Sequence, residues 1–271
     1  MEIQNTKMSK VVPWLICALG AALLVFAAIM FVSQLSDYSK STELYETTKD
    51  KYVVSRTDEK LAVTTTDEKQ IVSIIPEDEV EDKSGWEYLV DVDIPKLREI
   101  NEDITGWIYF ENVDISYPVL YSGDNDKYLR AAYTGEHLSA GSIFIDGSNS
   151  KDFSDAHSII YGHEMKDLSM FGKLKYYVTK KDYLAEHEYF QIITESGKYR
   201  YRIVSAKIVA DGSDIYAVYQ NGGKDFVNFA EANISDGSVI EPDDHIITLS
   251  TCYKDDRLVV SAIRCKQNIL N

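Results

Sequence analysis

A cysteine near the C-terminus stands where its sulfur could act as a nucleophile. Cys252 ends the run Ile-Ile-Thr-Leu-Ser-Thr-Cys, which has the composition of a buried strand. A cysteine at a strand end can present its sulfur to a cleft while the paired backbone holds it rigidly. Such a residue could attack a carbonyl carbon and form a thioester. The alternative is that Cys252 is an inert, packed residue.

Two further residues have the types that thiol catalysis needs. Arg257 follows Cys252 by five residues and opens the apolar run 258–262, so a hairpin would bring its guanidinium back beside the sulfur. A nearby positive charge favours the thiolate and can neutralise an oxyanion. His163 follows the strand-like run and glycine at residues 159–162, and its imidazole could donate and accept the proton. The three residues together favour nucleophilic thiol catalysis.

The elements that would position these residues are mainly strands. Glu-Ser-Gly-Lys at residues 195–198 is typical of a hairpin turn. Eight short strands favour a closed barrel. The strands are predicted at residues 107–110, 115–120, 142–145, 157–161, 190–194, 199–210, 245–250 and 257–266.

Helical spacing of apolar residues interrupts the strands in three places. A capping aspartate and an early proline predict a short N-terminal helix over residues 93–100. Two further helices are predicted over residues 180–187 and 224–234. The last of them places Phe226, Phe229 and Ala230 on one face and precedes the strand that ends in Cys252.

The N-terminal segment predicts a membrane anchor. Residues 11–32 contain no charged or strongly polar side chain, and about 20 such residues cross a hydrocarbon core as a helix. Lys7 and Lys10 precede this run, and Asp37 is the first charge after it. The positive-inside rule then predicts a cytoplasmic tail at residues 1–10, a single-pass, uncleaved anchor in the cell membrane, and an external remainder. A cleaved signal peptide is the alternative.

The external part divides by composition. Residues 33–84 contain no glycine and repeat charged triplets such as Asp-Glu-Lys, which predicts an extracytoplasmic stalk with optional helical stretches at residues 38–52. Residues 85–271 have a globular composition and are predicted to form one catalytic domain. The formal net charge of −16 argues against nucleic-acid binding.

Three cysteines and no Cys-x-x-Cys pair exclude a disulfide framework and a four-thiolate zinc site. A regulatory disulfide between Cys252 and Cys265 stays open. The aspartates near Cys252, Asp255 and Asp256, are interpreted as solvated charge. No metal and no cofactor are expected.

Three motifs together resemble the sortases, which are cysteine transpeptidases of Gram-positive cell surfaces. They are Tyr-Gly-His at residues 161–163, Thr-Leu-Ser-Thr-Cys at residues 248–252 and Arg-Leu-Val-Val at residues 257–260. Their order and spacing match the family, and the similarity extends over residues 89–266. The N-terminal anchor, the early helix and the helix predicted before the catalytic strand are most similar to class B sortases.

The resemblance implies an eight-stranded closed sortase-type β-barrel and a two-step exchange. Cys252 would attack the Thr carbonyl of a C-terminal sorting signal in a secreted protein, while His163 protonates the departing amine and Arg257 steadies the oxyanion. A cell-wall peptidoglycan amine would then take the acyl group from sulfur. The substrate-binding residues that the family implies are Asn125, Leu129, Tyr161, Ser250 and Thr251.

Other functions stay open at this point. A pilin-polymerising sortase would use a pilin lysine as the acceptor, and a hydrolytic thiol peptidase would use water. A non-catalytic, membrane-tethered adhesion or scaffold module would need Cys252 to be packed and His163 to be structural. The coincidence of these two residues with Arg257 argues against that module.

Overall fold

The computed structural model describes residues 3–55, 85–234 and 236–266. The chain divides into two compact units, Met1–Glu43 and Leu44–Asn271. The first unit is helical over its described residues, and the second contains every strand that the structure describes.

A long helix, α1 (Ile3–Tyr52), begins in the first unit and contains the predicted anchor. Its apolar side chains between Trp14 and Val32 are exposed, and the most apolar window has a mean hydropathy of 2.8. Exposed apolar side chains over this length of helix are suited to a lipid environment. It is the one helix, among the described residues, that is long and apolar enough to cross a membrane.

Residues 44–55 belong to the second unit, although the predicted stalk includes them. After the end of α1, strand β1 (Val53–Ser55) pairs antiparallel with β2 (Val90–Val92). Tyr45 and Thr48 are almost fully buried. Burial of the Tyr45 ring and of the Thr48 methyl group stabilises the fold. The charged residues around these two positions hide this contribution in the sequence. Residues 56–84 of the predicted stalk lie outside the described residues.

Eight strands close into a barrel, which confirms the predicted fold. Their order is β10-β8-β7-β3-β4-β5-β6-β9, with parallel pairing between β4 and β5 and between β6 and β9. The predicted turn at residues 195–198 joins β7 to β8. The strands are β3 (Ile104–Phe110), β4 (Ser116–Leu120), β5 (Ile143–Ile145), β6 (His157–Tyr161), β7 (Tyr189–Ile193), β8 (Lys198–Val209), β9 (Ile246–Tyr253) and β10 (Asp256–Arg264).

The early helix is present as α2 (Ile94–Ile100), whose cap is the predicted aspartate. The Asp93 carboxylate accepts a hydrogen bond from the backbone N–H of Lys96 at 3.2 Å, which satisfies one otherwise unpaired donor of the first turn. The buried residues Ile94 and Leu97 lie on one face of the helix. Capping and apolar spacing together explain why this short segment is helical.

The helix predicted over residues 180–187 is wrong in length. One single-turn helix, α4 (Tyr183–Glu186), lies within this range, and another, α3 (Tyr176–Thr179), ends just before it. Lys180 has an extended backbone, and Asp182 has a φ of 60°, in the left-handed region. Both conformations interrupt the hydrogen-bond ladder, so the apolar spacing across residues 180–187 does not correspond to one helix.

The helix before β9 is present as α5 (Lys224–Asn233), and it packs on the outside of the barrel. Phe226, Phe229 and Ala230 are buried there as predicted, against Ile246 of β9 and Val259 of β10. Full burial of a phenylalanine side chain contributes roughly 1.5–3 kcal/mol. This outer cluster stiffens the hairpin that carries Cys252.

Candidate active site

The parallel pairing of β6 with β9 brings His163 and Cys252 to one edge of the barrel. Tyr161 is the register partner of Ser250, and the Gly162 N–H donates to the Ser250 carbonyl at 3.1 Å. The carboxyl ends of parallel neighbours meet at the same edge of a sheet. His163 comes two residues after Tyr161, and Cys252 comes two residues after Ser250. Their positions along the two strands therefore match.

The hairpin of β9 and β10 brings Arg257 to the sulfur. Cys252 and Arg257 are direct cross-strand partners, and the turn between the strands contains only Lys254 and Asp255. One guanidinium nitrogen of Arg257 donates to Cys252 Sγ at 2.9 Å, and the other donates to the Asp211 carboxylate at 3.4 Å. Cys252 is exposed to solvent. The arrangement presents an exposed thiol beside a fixed cation.

The imidazole of His163 is oriented by a backbone carbonyl. Its Nε2–H donates to the Leu129 carbonyl at 2.6 Å, which leaves Nδ1 without a hydrogen-bond partner among the described residues. Gly162 allows the close packing here, because a Cβ atom at this position would lie 2.4 Å from Ile143 Cδ1 and 2.7 Å from the Phe171 ring. Nδ1 is therefore the nitrogen available for proton exchange with a ligand.

One cavity of about 380 Å³ brings all the sequence-predicted site residues together. This volume is within the range of small-ligand and peptide side-chain sites. The predicted residues that line it are Asn125, Leu129, Tyr161, His163, Ser250, Thr251, Cys252 and Arg257. The site predicted from residues spread over more than 130 positions is thus a single concave surface.

Thr251 differs from its neighbours in what it offers to this cavity. Successive side chains of a strand point to opposite faces, so Thr251 faces away from Ser250 and Cys252. Its hydroxyl oxygen is buried and has no hydrogen-bond partner among the described residues. Contact between Thr251 and a ligand in the cavity would therefore use its main chain.

Asp146, at the end of β5, holds two of the predicted residues in place. Its carboxylate accepts hydrogen bonds from the Asn125 amide and from the Tyr161 hydroxyl, both at 3.0 Å. Burial and the adjacent carboxylate raise the pKa of Tyr161, so its hydroxyl remains a donor. In the sequence Asp146 shows only as the last residue of the apolar run Ser-Ile-Phe-Ile-Asp, which gives no indication of this role.

The segment after β8 supplies a wall that the sequence patterns do not predict. Tyr216 stacks on Tyr161 with ring centroids 6.4 Å apart, and its hydroxyl lies 2.9 Å from the Ser250 hydroxyl. Burial raises the pKa of Tyr216. Asp211, the partner of Arg257, lies in the same segment. A loop that contains only a single-turn 3-10 helix (Asp214–Tyr216) has too little periodicity for these contacts to be predicted.

A buried histidine anchors this wall from behind. His157 Nδ1–H donates to the Ala217 carbonyl at 2.7 Å, and Nε2 accepts from the Thr248 hydroxyl at 2.8 Å. The backbone N–H of His157 also donates to the Tyr219 carbonyl at 2.9 Å. Burial lowers the pKa of His157 to about 4, because the charged imidazolium loses its hydration.

The buried imidazole makes stability depend on pH. The unfolded chain binds a proton at His157 near pH 6.5, whereas the folded chain does so only near pH 4, so the free energy of unfolding falls as the pH decreases through this window. The shift corresponds to about 3 kcal/mol. Between pH 7 and pH 4 the free energy of unfolding of His157→Gln should therefore fall by about 3 kcal/mol less than that of the wild type. Chemical denaturation at the two pH values measures this difference.

The matched control for this prediction is His137→Gln, because His137 is exposed. It should keep the pH dependence of the wild-type chain. An unchanged difference between pH 7 and pH 4 in His157→Gln would show that this imidazole does not cause the effect.

Comparison with known proteins decides the family. Residues 108–264 match the sortase domain, which is more than half of the chain. The chain belongs to the sortase family. The match includes His163, Cys252 and Arg257, and it begins within β3 and ends with β10.

Individual sortases show the same relationship. This chain is 36% identical to sortase B of Listeria monocytogenes over 177 residues, which cover 60% of this chain and 70% of the relative. A substrate complex of Staphylococcus aureus sortase B superposes with a TM-score of 0.58 at 30% identity, over 64% of this chain and 84% of the other. A Streptococcus pyogenes class B sortase involved in pilus biogenesis gives 0.57 at 27%, over 64% and 98%. The protein is a sortase B-like cysteine transpeptidase.

The third cysteine of the sortase lies far from the site. Ile263, two residues before Cys265, pairs with Ile246, whereas Cys252 is six residues further along β9. Six strand residues span about 20 Å, so the two sulfurs cannot form a disulfide in this fold. Among the described residues, no cluster of three or more histidine, cysteine or acidic side chains could hold a metal ion.

Proposed function

We propose that this sortase is anchored in the cell membrane, cleaves a C-terminal sorting signal after threonine, and transfers the secreted protein to a peptidoglycan amine. The observation that carries the proposal is the convergence of a thiol, an imidazole and a guanidinium on one cavity, with the guanidinium 2.9 Å from Sγ. Nucleophile, proton carrier and oxyanion partner are the three groups that acyl transfer through sulfur requires.

In the first step the thiolate of Cys252, whose proton resides on Nδ1 of His163, attacks the carbonyl carbon of the signal's threonine. The carbonyl oxygen becomes an oxyanion, which Arg257 stabilises with its free N–H groups. As the oxyanion collapses, the C–N bond breaks and the departing nitrogen takes the proton from Nδ1 of His163. The products are a thioester on Cys252 and a released C-terminal fragment with a free amine.

In the second step an amine attacks the thioester carbon. Its excess proton passes to Nδ1 of His163, the C–S bond breaks, and the Cys252 thiolate is regenerated beside Arg257. The new bond is an amide, so the overall exchange consumes no external energy source and no net proton. A water molecule in place of the amine would give hydrolysis by the same route.

The predicted substrate-binding residues form the rest of the cavity wall. Asn125 and Tyr161 are fixed by Asp146, and Ser250 is fixed by Tyr216. Side chains that are held before a ligand arrives lose little conformational entropy on binding. This preorganised wall, which includes the Tyr161 and Tyr216 rings, suits an extended peptide. The S. aureus relative has been solved as a substrate complex.

The proposed orientation follows from the charges that flank the apolar part of α1. Lys7 and Lys10 precede it and Asp37 follows it, so the N-terminus lies in the cytoplasm. The catalytic unit then lies outside, where secreted proteins and cell-wall amines are found. The predicted stalk and domain boundaries remain part of this proposal.

A single experiment tests this function. The full chain in detergent micelles is incubated with a library of threonine-containing peptides, with or without an amine acceptor, and the products are identified by mass spectrometry. We expect cleavage after threonine, and an acyl–amine adduct when the acceptor is present. Hydrolysis alone in both arms would indicate a thiol peptidase, and no cleavage of any peptide would overturn the proposal.

The acceptor arms also separate cell-wall anchoring from pilus assembly. One arm contains a peptidoglycan stem or cross-bridge peptide, and the other contains a lysine-bearing pilin peptide. The S. pyogenes relative, which is involved in pilus biogenesis, makes the second arm a necessary comparison. A preference for the lysine peptide would replace anchoring with polymerisation.

A further inference from the structure

We propose that Tyr45, together with Thr48, is a positioning residue for His163. Both lie in the last part of α1, residues 44–52, within the same compact unit as the barrel. The inference rests on the proposed role of His163 as the proton carrier. Residues 44–52 would then contribute to the reaction, in addition to continuing the apolar segment of α1.

Tyr45 contacts the backbone of the first segment that holds His163. Its hydroxyl donates to the Gly141 carbonyl at 2.6 Å and lies 3.2 Å from Ser142 Oγ. Only 5% of Tyr45 is exposed, and burial raises its pKa, so this hydroxyl stays protonated and remains a donor. A buried hydroxyl bonded to a carbonyl fixes the distance between helix and loop.

Gly141 and Ser142 in turn fix the carbonyl that accepts from His163. Ser142 donates through its hydroxyl to the Ala131 carbonyl at 2.8 Å and through its N–H to the Tyr128 carbonyl at 3.0 Å. These two carbonyls bracket Leu129, whose own carbonyl accepts the imidazole N–H. Gly141 has a φ of 55° and its α-carbon packs directly on the same backbone, since a Cβ would lie 2.6 Å from the Leu129 oxygen.

Tyr45 also contacts the second segment that holds His163. Its ring packs edge-on against Tyr117, with centroids 5.4 Å apart and planes at 83°. The Tyr117 hydroxyl accepts from the Met170 N–H at 3.0 Å, and the next residue, Phe171, donates its N–H to the His163 carbonyl at 3.0 Å. Tyr45 thus contacts both segments that hold His163, the one that orients its imidazole and the one that leads to the hydrogen bond on its backbone carbonyl.

Thr48 fastens the same helical segment one turn later. Its hydroxyl donates to the Leu44 carbonyl at 2.6 Å and accepts from the Tyr133 hydroxyl at 2.5 Å. The Tyr133 carbonyl accepts from the Asn101 amide at 2.7 Å. Thr48 therefore ties the helix to the loop between Leu129 and Gly141, and the two contacts together restrict both rotation and sliding of the segment.

The test compares variants of the full chain on two substrates with the same acyl group. One substrate is the amide peptide, whose leaving nitrogen must be protonated, and the other is an activated aryl ester, whose leaving group needs no proton. Tyr45→Phe and Thr48→Val should each lower kcat for the amide about tenfold with KM within about twofold. The ester should lose far less, because misplacement of His163 affects mainly the protonated step.

Matched controls separate positioning from general damage. Thr48→Ser keeps the hydroxyl and should keep amide turnover, and Thr47→Val changes an exposed neighbour on the same helix and should be silent. Thermal unfolding confirms that each variant is folded. Equal losses on amide and ester, or wild-type amide turnover in both Tyr45→Phe and Thr48→Val, would overturn the inference.

The proposed function fails differently. If Cys252→Ala cleaves the amide as fast as the wild type, sulfur is not the nucleophile, and the role of His163 falls with it. If cleavage depends on Cys252 while the Tyr45 and Thr48 variants behave as the wild type, only the positioning inference is lost.

Discussion

Replacing Cys252 with alanine is expected to lower peptide cleavage and transfer by about 10³-fold or more. Without sulfur no thioester can form. The fold should be unchanged, because Cys252 is exposed and, within the described part of the chain, its one side-chain hydrogen bond is to Arg257. Steady-state turnover, and the mass of the enzyme after incubation with peptide, measure the two parts of this prediction.

Cys265→Ala is the matched control, because it removes a thiol from the other end of the same hairpin. It should keep wild-type turnover and still gain the acyl mass on Cys252. Full turnover in Cys252→Ala would contradict the thioester mechanism directly. An acyl adduct on Cys265 in the wild-type enzyme would move the nucleophile to a different site.

Arg257→Lys is expected to lower kcat by about 10²-fold. Lysine keeps the positive charge, but its ammonium group cannot donate to Cys252 Sγ and to Asp211 from a fixed planar fork. Because Arg257 stabilises the oxyanion only in the transition state, loss of this interaction should lower kcat and kcat/KM by the same factor. Kinetics over a range of peptide concentrations give both constants.

Arg202→Lys provides the comparison for the loss of a guanidinium as such. Arg202, on β8, donates one N–H to Asp236 at 3.2 Å and another to Ser238 at 2.8 Å, and it does not line the cavity. Its replacement should leave turnover within about twofold, as is usual for a partly exposed ion pair. Turnover of Arg257→Lys at the wild-type rate would remove Arg257 from the mechanism.

The residues that could be predicted from sequence are those whose relationships are local. Cys252 and Arg257 are joined by a two-residue turn, so strand patterns around them are sufficient to pair them. The face of α5 was equally predictable, since Phe226 and Phe229 are one helical turn apart. His163 is 89 residues from Cys252, and only its place at a strand end, together with family motifs, connected the two.

The residues that could not be predicted depend on packing between distant segments. Tyr45 lies in a charged stretch that resembles a solvated spacer, and nothing local indicates that its ring is buried against Tyr117. Asp146 follows an apolar strand, and the two side chains that donate to its carboxylate are 15 and 21 residues away. Tyr216 ends a single-turn 3-10 helix (Asp214–Tyr216), which is too short for a period to indicate which side faces the cavity.

The order in which the barrel is completed has a consequence for when the enzyme becomes active. The β9–β10 hairpin is local, so Cys252 and Arg257 can meet within microseconds of their synthesis. His163 joins them only when β6 pairs with β9, across a gap of more than 80 residues, and such non-local pairing is slow. We therefore expect a newly synthesised chain to be catalytically silent until its last two strands dock, so that incomplete chains cannot form the thioester.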